Sequence, residues 1–451
     1  MVKVLHLSDI HLGSGLAHGR INPETGLNTR LEDLTATLGG CIDRAIADAV
    51  DLVIFGGDAF PNATPPPLHR DAFARQFVRL AAAQIPAVLL VGNHDQHGQG
   101  QEGTSLSIYQ TLGVPGFYVG DRLRTLRIET RSGVVQVTTL PWLNRSTLLT
   151  RPEMEGLTGG AIAAKLLQRL DLALEAETRQ LDPELPAILL AHAMVDTARY
   201  GAERHLAVGK GFTVPLSLLA RPAYQYVALG HVHKHQVLCE DPPVIYPGSI
   251  ERVDFSEERE QKGFILAEIA PSHASYEFVP LDVRKFVTIR VDLTEVPEAT
   301  DSMASATSEG DEADRVSPTQ AILKAIAKAK IDDCITRVFY RIRADRADEI
   351  DIHALHAALA HASSYTVHPD VVSASRLRLP GLSSGDLDPI AALEMYVASR
   401  EDLEGMKNDM LNVARSLVLQ TEMEAIELEE DADGEEFLEV EPGAEQLSFL
   451  T

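Results

Sequence analysis

Aspartate, asparagine and histidine recur in this chain as Asp9-x-His11, Asp58, Asn93-His94, His192 and His231-x-His233. Each of these residue types can offer an oxygen or nitrogen lone pair to a divalent ion. Mixed imidazole, carboxylate and amide donors suit manganese, iron or zinc better than calcium or magnesium alone. About seven ligands are too many for one ion; they fit two, with one carboxylate shared. The chemistry that needs such a pair is hydrolysis of a phosphate ester, in which two ions about 3.5–4 Å apart stabilise both the attacking and the leaving oxygen. Two divalent ions, two carboxylates and a bridging hydroxide leave a net positive centre, which attracts a phosphodiester even inside an acidic protein.

Every one of these residues closes a short apolar run: VKVLHLSDIH, DLVIFGGD, PAVLLVGNHD, AILLAH and YVALGHVH. Runs this short and this rich in Val, Leu and Ile read as buried strands. Residues i and i+2 of a strand point the same way, so Asp9 with His11, and His231 with His233, can each leave one strand end together. Asp58 follows two glycines, which let the backbone approach an ion closely. A lone strand-end histidine is ordinarily a hydrogen-bonded core or surface residue, and the Gly-Asn of GNHD is also turn sequence. Five such endings together look like one metal site at the edge of a sheet. Between the first runs, apolar spacing predicts helices over 29–50 and 68–84, the second stopped by Pro86. The expected architecture is an α/β sandwich with strands in mixed order.

At 451 residues the chain has room for two or three domains. Its apolar runs fall far short of the roughly 20 residues that span a bilayer, and the N-terminus enters a strand directly, so a soluble cytoplasmic protein is expected. Three scattered cysteines, Cys41, Cys239 and Cys334, form no CxxC pair and read as buried thiols. The net charge of −26 counts modestly against tight nonspecific nucleic-acid binding. Twelve of the acidic residues lie after position 420, however, in a tail without Lys or Arg, so a DNA substrate stays open.

The strand-plus-ligand units end by about residue 264, and 1–280 reads as the catalytic domain. A second, small α+β domain is expected over 281–380. Its predicted elements are a strand at 284–293, a flexible polar insertion at 295–317, a helix at 319–330, the strand CITRVFYRIRA, a helix at 347–360 and a strand at 370–377. A linker follows, with Asp388 and Pro389 suited to start a helix. A helical pair at 390–398 and 403–419 and an acidic tail at 421–451 complete the chain.

The motifs DIH, GD, GNHD, His192 and GHVH resemble the calcineurin-like metallophosphoesterase signature, which implies two mixed β-sheets flanked by helices. Over the first 280 residues, SDIHLG and YVALGHVHKHQ followed by YPGSIERVDFSEEREQKGF are similar to the SbcD family, the nuclease subunit of a bacterial DNA break-repair complex. The resemblance implies one metal on Asp9, His11, Asp58 and His233 and another on Asp58, Asn93, His192 and His231. It places His94 off the metals, facing the scissile phosphate and assisting the leaving group, with Asp95 orienting its ring. A histidine kept off the metals can carry a proton at neutral pH. The segment 246–255 would lie behind the site as support. Pro61 stands where many relatives have Asp or His, which puts substrate contacts there in doubt. The family also implies manganese, 3′-to-5′ exonuclease and endonuclease activity through a metal-bridged hydroxide, and a nucleoid-associated homodimer acting on DNA ends and hairpins.

Other expectations are looser. His18, Arg20, Arg30 and 96–101 are near the site by topology, as DNA contacts or plain loop residues. The helix with Phe73, Phe77 and Leu80 matches the family's dimerisation region, or is ordinary core. The helical pair resembles in position the segment that grips the coiled coil of the SMC-like ATPase partner, SbcC. Gln446-Leu447-Ser448-Phe449-Leu450 looks like a sliding-clamp peptide with its final Leu and Phe exchanged. The rival readings are a stand-alone phosphoesterase acting on nucleotides or phosphoproteins, and a scaffolding subunit with a vestigial site.

Overall fold

The computed structural model describes residues 1–97, 103–143, 156–201, 213–294, 317–372, 389–398, 403 and 406–416. The polar insertion, the linker and the acidic tail with Gln446–Leu450 lie outside the described residues, apart from Ser317 and Pro389. Met1–Val372 forms one compact unit and Ser373–Thr451 a second.

Two six-stranded sheets make the body of the first unit. Strands β1 (Val2–Leu7), β2 (Leu52–Phe55), β3 (Ala87–Leu90) and β4 (Phe117–Gly120) run parallel, so their C-terminal ends share one edge. The second sheet takes β5 (Arg124–Thr130), β6 (Gly133–Leu140), β7 (Ala187–His192), β10 (Tyr226–Gly230), β11 (Gln236–Glu240) and β12 (Pro243–Tyr246), in the order β11-β12-β10-β7-β6-β5. A short pair, β8 (Met194–Val195) and β9 (Thr213–Val214), stands apart from both. Strands β13 (Gly263–Ala270) and β14 (His273–Pro280) return antiparallel to close the first sheet beside β1.

Strands β2 and β3 of the first sheet read as unbroken apolar runs because both faces are covered. Val4, Leu52, Ile54, Val88 and Leu90 point at the second sheet and meet Ile188, Leu190, Tyr226 and Ala228 there. Their neighbours Leu5, Leu7, Val53, Phe55 and Leu89 point the other way, onto helices Thr29–Ala47 and Pro67–Ala82. Asn28 caps the first of these helices by accepting from Arg30 N, and Pro67 opens the second. Leu170 and Leu174 of the helix Gly159–Thr178 cover the outer face of the second sheet. The result is a helix–sheet–sheet–helix sandwich.

The same unit contains a three-stranded parallel sheet, β15 (Phe286–Asp292), β16 (Ile335–Arg343) and β17 (Ser364–Val372). Helices Pro318–Lys328 and Ile352–Ala358 link its strands, and with them Ile289, Ile322, Ile326, Val338, Ile342 and Leu355 form a core of their own. β17 begins six residues before the predicted 370. SYTVHPD was missed because His368 and Pro369 break its apolar pattern; as an end strand it bonds only β16 and tolerates both. Arg284 ties this sheet to the sandwich with a two-pronged grip on Asp33, at 2.6 and 2.7 Å.

In the second unit, the helix Pro389–Ala398 and residues 407–416 are helical. Val397 and Leu411 are buried there, while Met406 and Val413 are exposed. Among the described residues, no helix is long and apolar enough to cross a membrane.

Candidate metal centre

The C-terminal ends of β1, β2 and β3 in one sheet and of β7 and β10 in the other meet along a common seam. The site therefore belongs to both sheets, a correction to the single edge expected from the sequence. Asp9 and His11 follow β1, Asp58 follows β2, Asn93 and His94 follow β3, His192 ends β7, and His231 and His233 follow β10.

Strand alternation does not aim these side chains, because most of them lie past the strand ends. Four have a left-handed or otherwise positive φ: Asp9 (52°), His11 (45°), Asp58 (60°) and His231 (107°). Such backbone costs about 1–3 kcal/mol per residue and persists only where surrounding structure holds it. Here Asp9 N donates to Gly57 O and His11 N to Asp58 O, both at 3.0 Å, locking the first two loops together. Gly92 is required by close approach: a Cβ there would sit 2.1 Å from Asp58 Oδ1.

Three groups of donor atoms result, each spanning no more than 4.8 Å: Asp9, His11 and His233; Asp58, His192 and His231; and, between them, His11, Asp58 and His94. Asp58 Oδ2 lies 3.6 Å from His11 Nε2 and 3.5 Å from His192 Nε2, midway between the two halves. Asn93 Oδ1 lies 2.9 Å from both His192 Nε2 and His231 Nδ1. The structure thus brings together all seven residues expected to hold metal, with His94 beside them.

The electrostatics favour a cation. Burial alone would raise the Asp58 carboxyl, but His192 and His11 outweigh it and hold Asp58 well below the usual carboxylate range. Burial opposes charge on His192, yet Asp58 and Asp9 lift it to about 9. His231 is depressed to about 3 by burial and by His192. His192 Nδ1 faces the Gly56 carbonyl at 2.7 Å, so a neutral ring turns its Nε2 lone pair toward the Asn93 oxygen. A proton or a metal ion between them relieves that contact. His231 Nε2 is buried without a hydrogen-bond partner. This donor set, two carboxylates, an amide and four imidazoles around a shared aspartate, fits two divalent ions.

The expected partnership of Asp95 with His94 is not what the structure shows. Asp95 turns away and accepts from Gly92 N (3.0 Å), Asp58 N (2.9 Å), Ala59 N (3.2 Å) and Ser105 Oγ (2.7 Å). It clamps the loops after β2 and β3 because four donors converge on its buried pocket. Burial and Asp58 raise it to about 6. The ring of His94 is oriented instead by the Pro61 carbonyl, 2.8 Å from Nδ1. Proline at 61 brings no side-chain ligand, but its main chain fixes the ring.

Two looser expectations are also corrected. Arg30 is buried, bonded to Asp33 (2.8 Å) and the Arg252 carbonyl (2.7 Å), and so is not a surface contact. The His18 ring is half-buried and packs edge-on against Phe255 and Phe286. Arg20 remains exposed, and 98–101 lie outside the described residues. Phe73, Phe77 and Leu80 are wholly buried in the sandwich core, and Leu68 and Val78 are the large apolar residues this helix exposes.

Sequence reasoning missed three residues around the centre. Trp142 packs its ring 4.8 Å from His231 and 5.9 Å from His192. Glu257 Oε1 meets His233 Nδ1 at 2.7 Å, and Lys262 Nζ meets Glu257 Oε2 at 2.6 Å. The charged pair stood in plain view in FSEEREQKGF, but only folding shows that two of its charges are buried.

Among solved structures, the chain aligns with a dimetal phosphatase from Danio rerio (11% identity, TM-score 0.33, 61% of this chain and 98% of that one). A protein from Thermus thermophilus aligns over the same shares at 16% identity and TM-score 0.33. A purple acid phosphatase from yellow lupin, Lupinus luteus, aligns at 13% identity and TM-score 0.36, over 61% of this chain and 51% of that one. Likenesses at that level carry no weight of their own. The sequence model for calcineurin-like phosphoesterases matches residues 2–235, more than half of the 451, and takes in every candidate ligand. The chain belongs to the calcineurin-like phosphoesterase family.

Proposed function

We propose that the chain is a DNA nuclease of the SbcD type, cutting phosphodiester bonds at DNA ends and hairpins as a manganese-dependent 3′-to-5′ exonuclease and endonuclease. The observation that carries this reading is the continuity of the SbcD-like segment with the centre: GHVH supplies His231 and His233, and the following 246–264 supplies Glu257 and Lys262 against them.

Asp9, His11, Asp58 and His233 would hold one divalent ion, and Asp58, Asn93, His192 and His231 the other. When bound, two such ions supply Lewis-acid activation of water and neutralise charge on the reacting phosphate. The Pro61 carbonyl takes the Nδ1 hydrogen of His94, leaving Nε2 as the atom that can serve the leaving oxygen. Asp95 keeps the His94 loop in register with Asp58, whose Oδ1 accepts from His94 N at 2.9 Å.

The partners belong to the same reading. Residues 389–416, with Met406 and Val413 exposed, would bind the coiled coil of an SMC-like ATPase, SbcC. A homodimer would use the exposed Leu68 and Val78 rather than the buried Phe73 and Phe77. The segment Gln446–Leu450 would reach a sliding clamp. Retained ATPase binding in a chain truncated after Leu387 removes the first of these, and unchanged clamp binding after deletion of 446–451 removes the last.

Purified chain, with and without the ATPase, is incubated with manganese and end-labelled duplex DNA. Cutting by the wild type that vanishes in Asp58→Asn and His94→Ala supports the nuclease. Hydrolysis of p-nitrophenyl esters but not of DNA assigns a stand-alone phosphoesterase. No hydrolysis of either, with metal bound, assigns a scaffold.

A further inference from the structure

Five histidines surround the centre, and they differ in what stands behind them. His192 and His94 each turn Nδ1 to a main-chain carbonyl, of Gly56 and Pro61. His231 has Asn93 Oδ1 at Nδ1 and nothing bonded to its buried Nε2. His233 alone among them has a carboxylate on the nitrogen that faces away from the other donors: Glu257 Oε1, 2.7 Å from Nδ1.

Glu257 is itself held on several sides. Lys262 Nζ is 2.6 Å from Oε2, Val253 N donates to Oε2 at 3.1 Å, and Ser249 Oγ lies at 3.4 Å. The Lys262 side chain is fully buried, and its ammonium also donates to the His233 carbonyl (3.1 Å), Ser249 Oγ (2.8 Å) and Glu260 Oε2 (2.8 Å). A buried lysine is costly unless paired and hydrogen-bonded. Here it neutralises Glu257 and pins His233 from its main-chain side, so ring and backbone of this residue are fixed by one network.

We propose that Glu257 is a positioning residue for the metal centre: it holds His233 in the tautomer that leaves Nε2 as the ligand atom, and it makes the Asp9–His11–His233 position the tighter of the two. Any acceptor behind a ligating imidazole fixes the ring and raises its basicity, a carboxylate more than a carbonyl because it carries a full negative charge, and loss of such a partner weakens metal binding by about 10–100-fold. His233 Nε2 already points at His11 Nε2, 3.0 Å away, which is where that position's donors converge. The two ions therefore bind in order, the Asp9 side first. This rests on the centre being a two-metal site, not on DNA being the substrate.

The test is a manganese titration of the full chain, read by the electron paramagnetic resonance of free Mn²⁺ and by calorimetry. Wild type should show two classes of site. Glu257→Gln should weaken the tighter class about 10–100-fold and leave the weaker class unchanged. Glu260→Gln, which removes a neighbouring lysine partner but leaves the Glu257–His233 contact, should change neither. Should Glu257→Gln fail to fold, Glu257→Asp, which keeps the charge but shortens the reach to Nδ1, carries the same expectation. Two unaltered classes in a folded Glu257 variant overturn the proposal, as does a lowered melting temperature in chelator with no change in Mn²⁺ affinity. Because metal occupancy is read directly, absence of DNA cutting would defeat the nuclease reading and leave this one standing.

Discussion

The Asp9–His11–His233 half of the centre is braced by ions, the Glu257–Lys262 pair, while the Asp58–His192–His231 half leans on a carbonyl, an amide and the indole of Trp142. Both halves lie at strand ends and share Asp58, so the difference does not come from the β framework. It comes from what each loop reaches. The loop after β10 runs against the 246–262 return, which brings charge with it, whereas His192 ends a strand walled by main chain and Trp142. One half resists disturbance electrostatically and the other by packing, and this makes them separable by mutation.

The largest effect is expected from Asp58→Asn, which weakens both halves at once: turnover should disappear and bound metal, counted by atomic emission after desalting, should fall below two ions per chain. Retention of both ions would break the comparison, since Asp58 would then join nothing. Trp142→Ala comes next. Removing a buried indole should cost about 3–5 kcal/mol of stability in urea unfolding, and should weaken only the ion beside His192 and His231. Equal weakening of both ions would show the halves to be coupled. The smallest effect belongs to Ser105→Ala, which removes one of four hydrogen bonds to Asp95. A loss of about 1 kcal/mol with both ions kept is expected, and a loss of metal would show Asp95 to be more than a loop clamp.

Much of this was legible in the sequence because it was written in residue types. Short Val/Leu/Ile runs ending in Asp, Asn or His located β1, β2, β3, β7 and β10 and the eight residues that the structure gathers at their ends. The aim of the side chains was not legible. Asp9, His11, Asp58 and His231 reach the site through positive φ, which the pattern of types does not reveal. Strand alternation paired Asp9 with His11 correctly, but for another reason. The Asp95 role implied by the family resemblance is not what the structure shows, because Gly92 N, Asp58 N, Ala59 N and Ser105 Oγ are unsatisfied donors unless Asp95 turns inward. Phe73 and Phe77 stack with ring centres 4.4 Å apart inside the core, and the periodicity that marked their helix could not distinguish core from interface. Nothing in the charged stretch FSEEREQKGF singles out Glu257 and Lys262, since burial of an ion pair is a tertiary event.

The central claim is a division of labour within one cluster, and His94→Ala tests it most directly. Manganese bound per chain and hydrolysis of the phosphoester that the wild type cleaves should be measured on the same sample. His94 hydrogen-bonds Pro61 through Nδ1 and donates its backbone N–H to Asp58, so loss of its ring should leave the seven candidate ligands in place. Two ions per chain should remain while turnover drops by about 10²–10⁴-fold. A fall in bound metal that tracks the loss of turnover would contradict the account, and so would undiminished cutting.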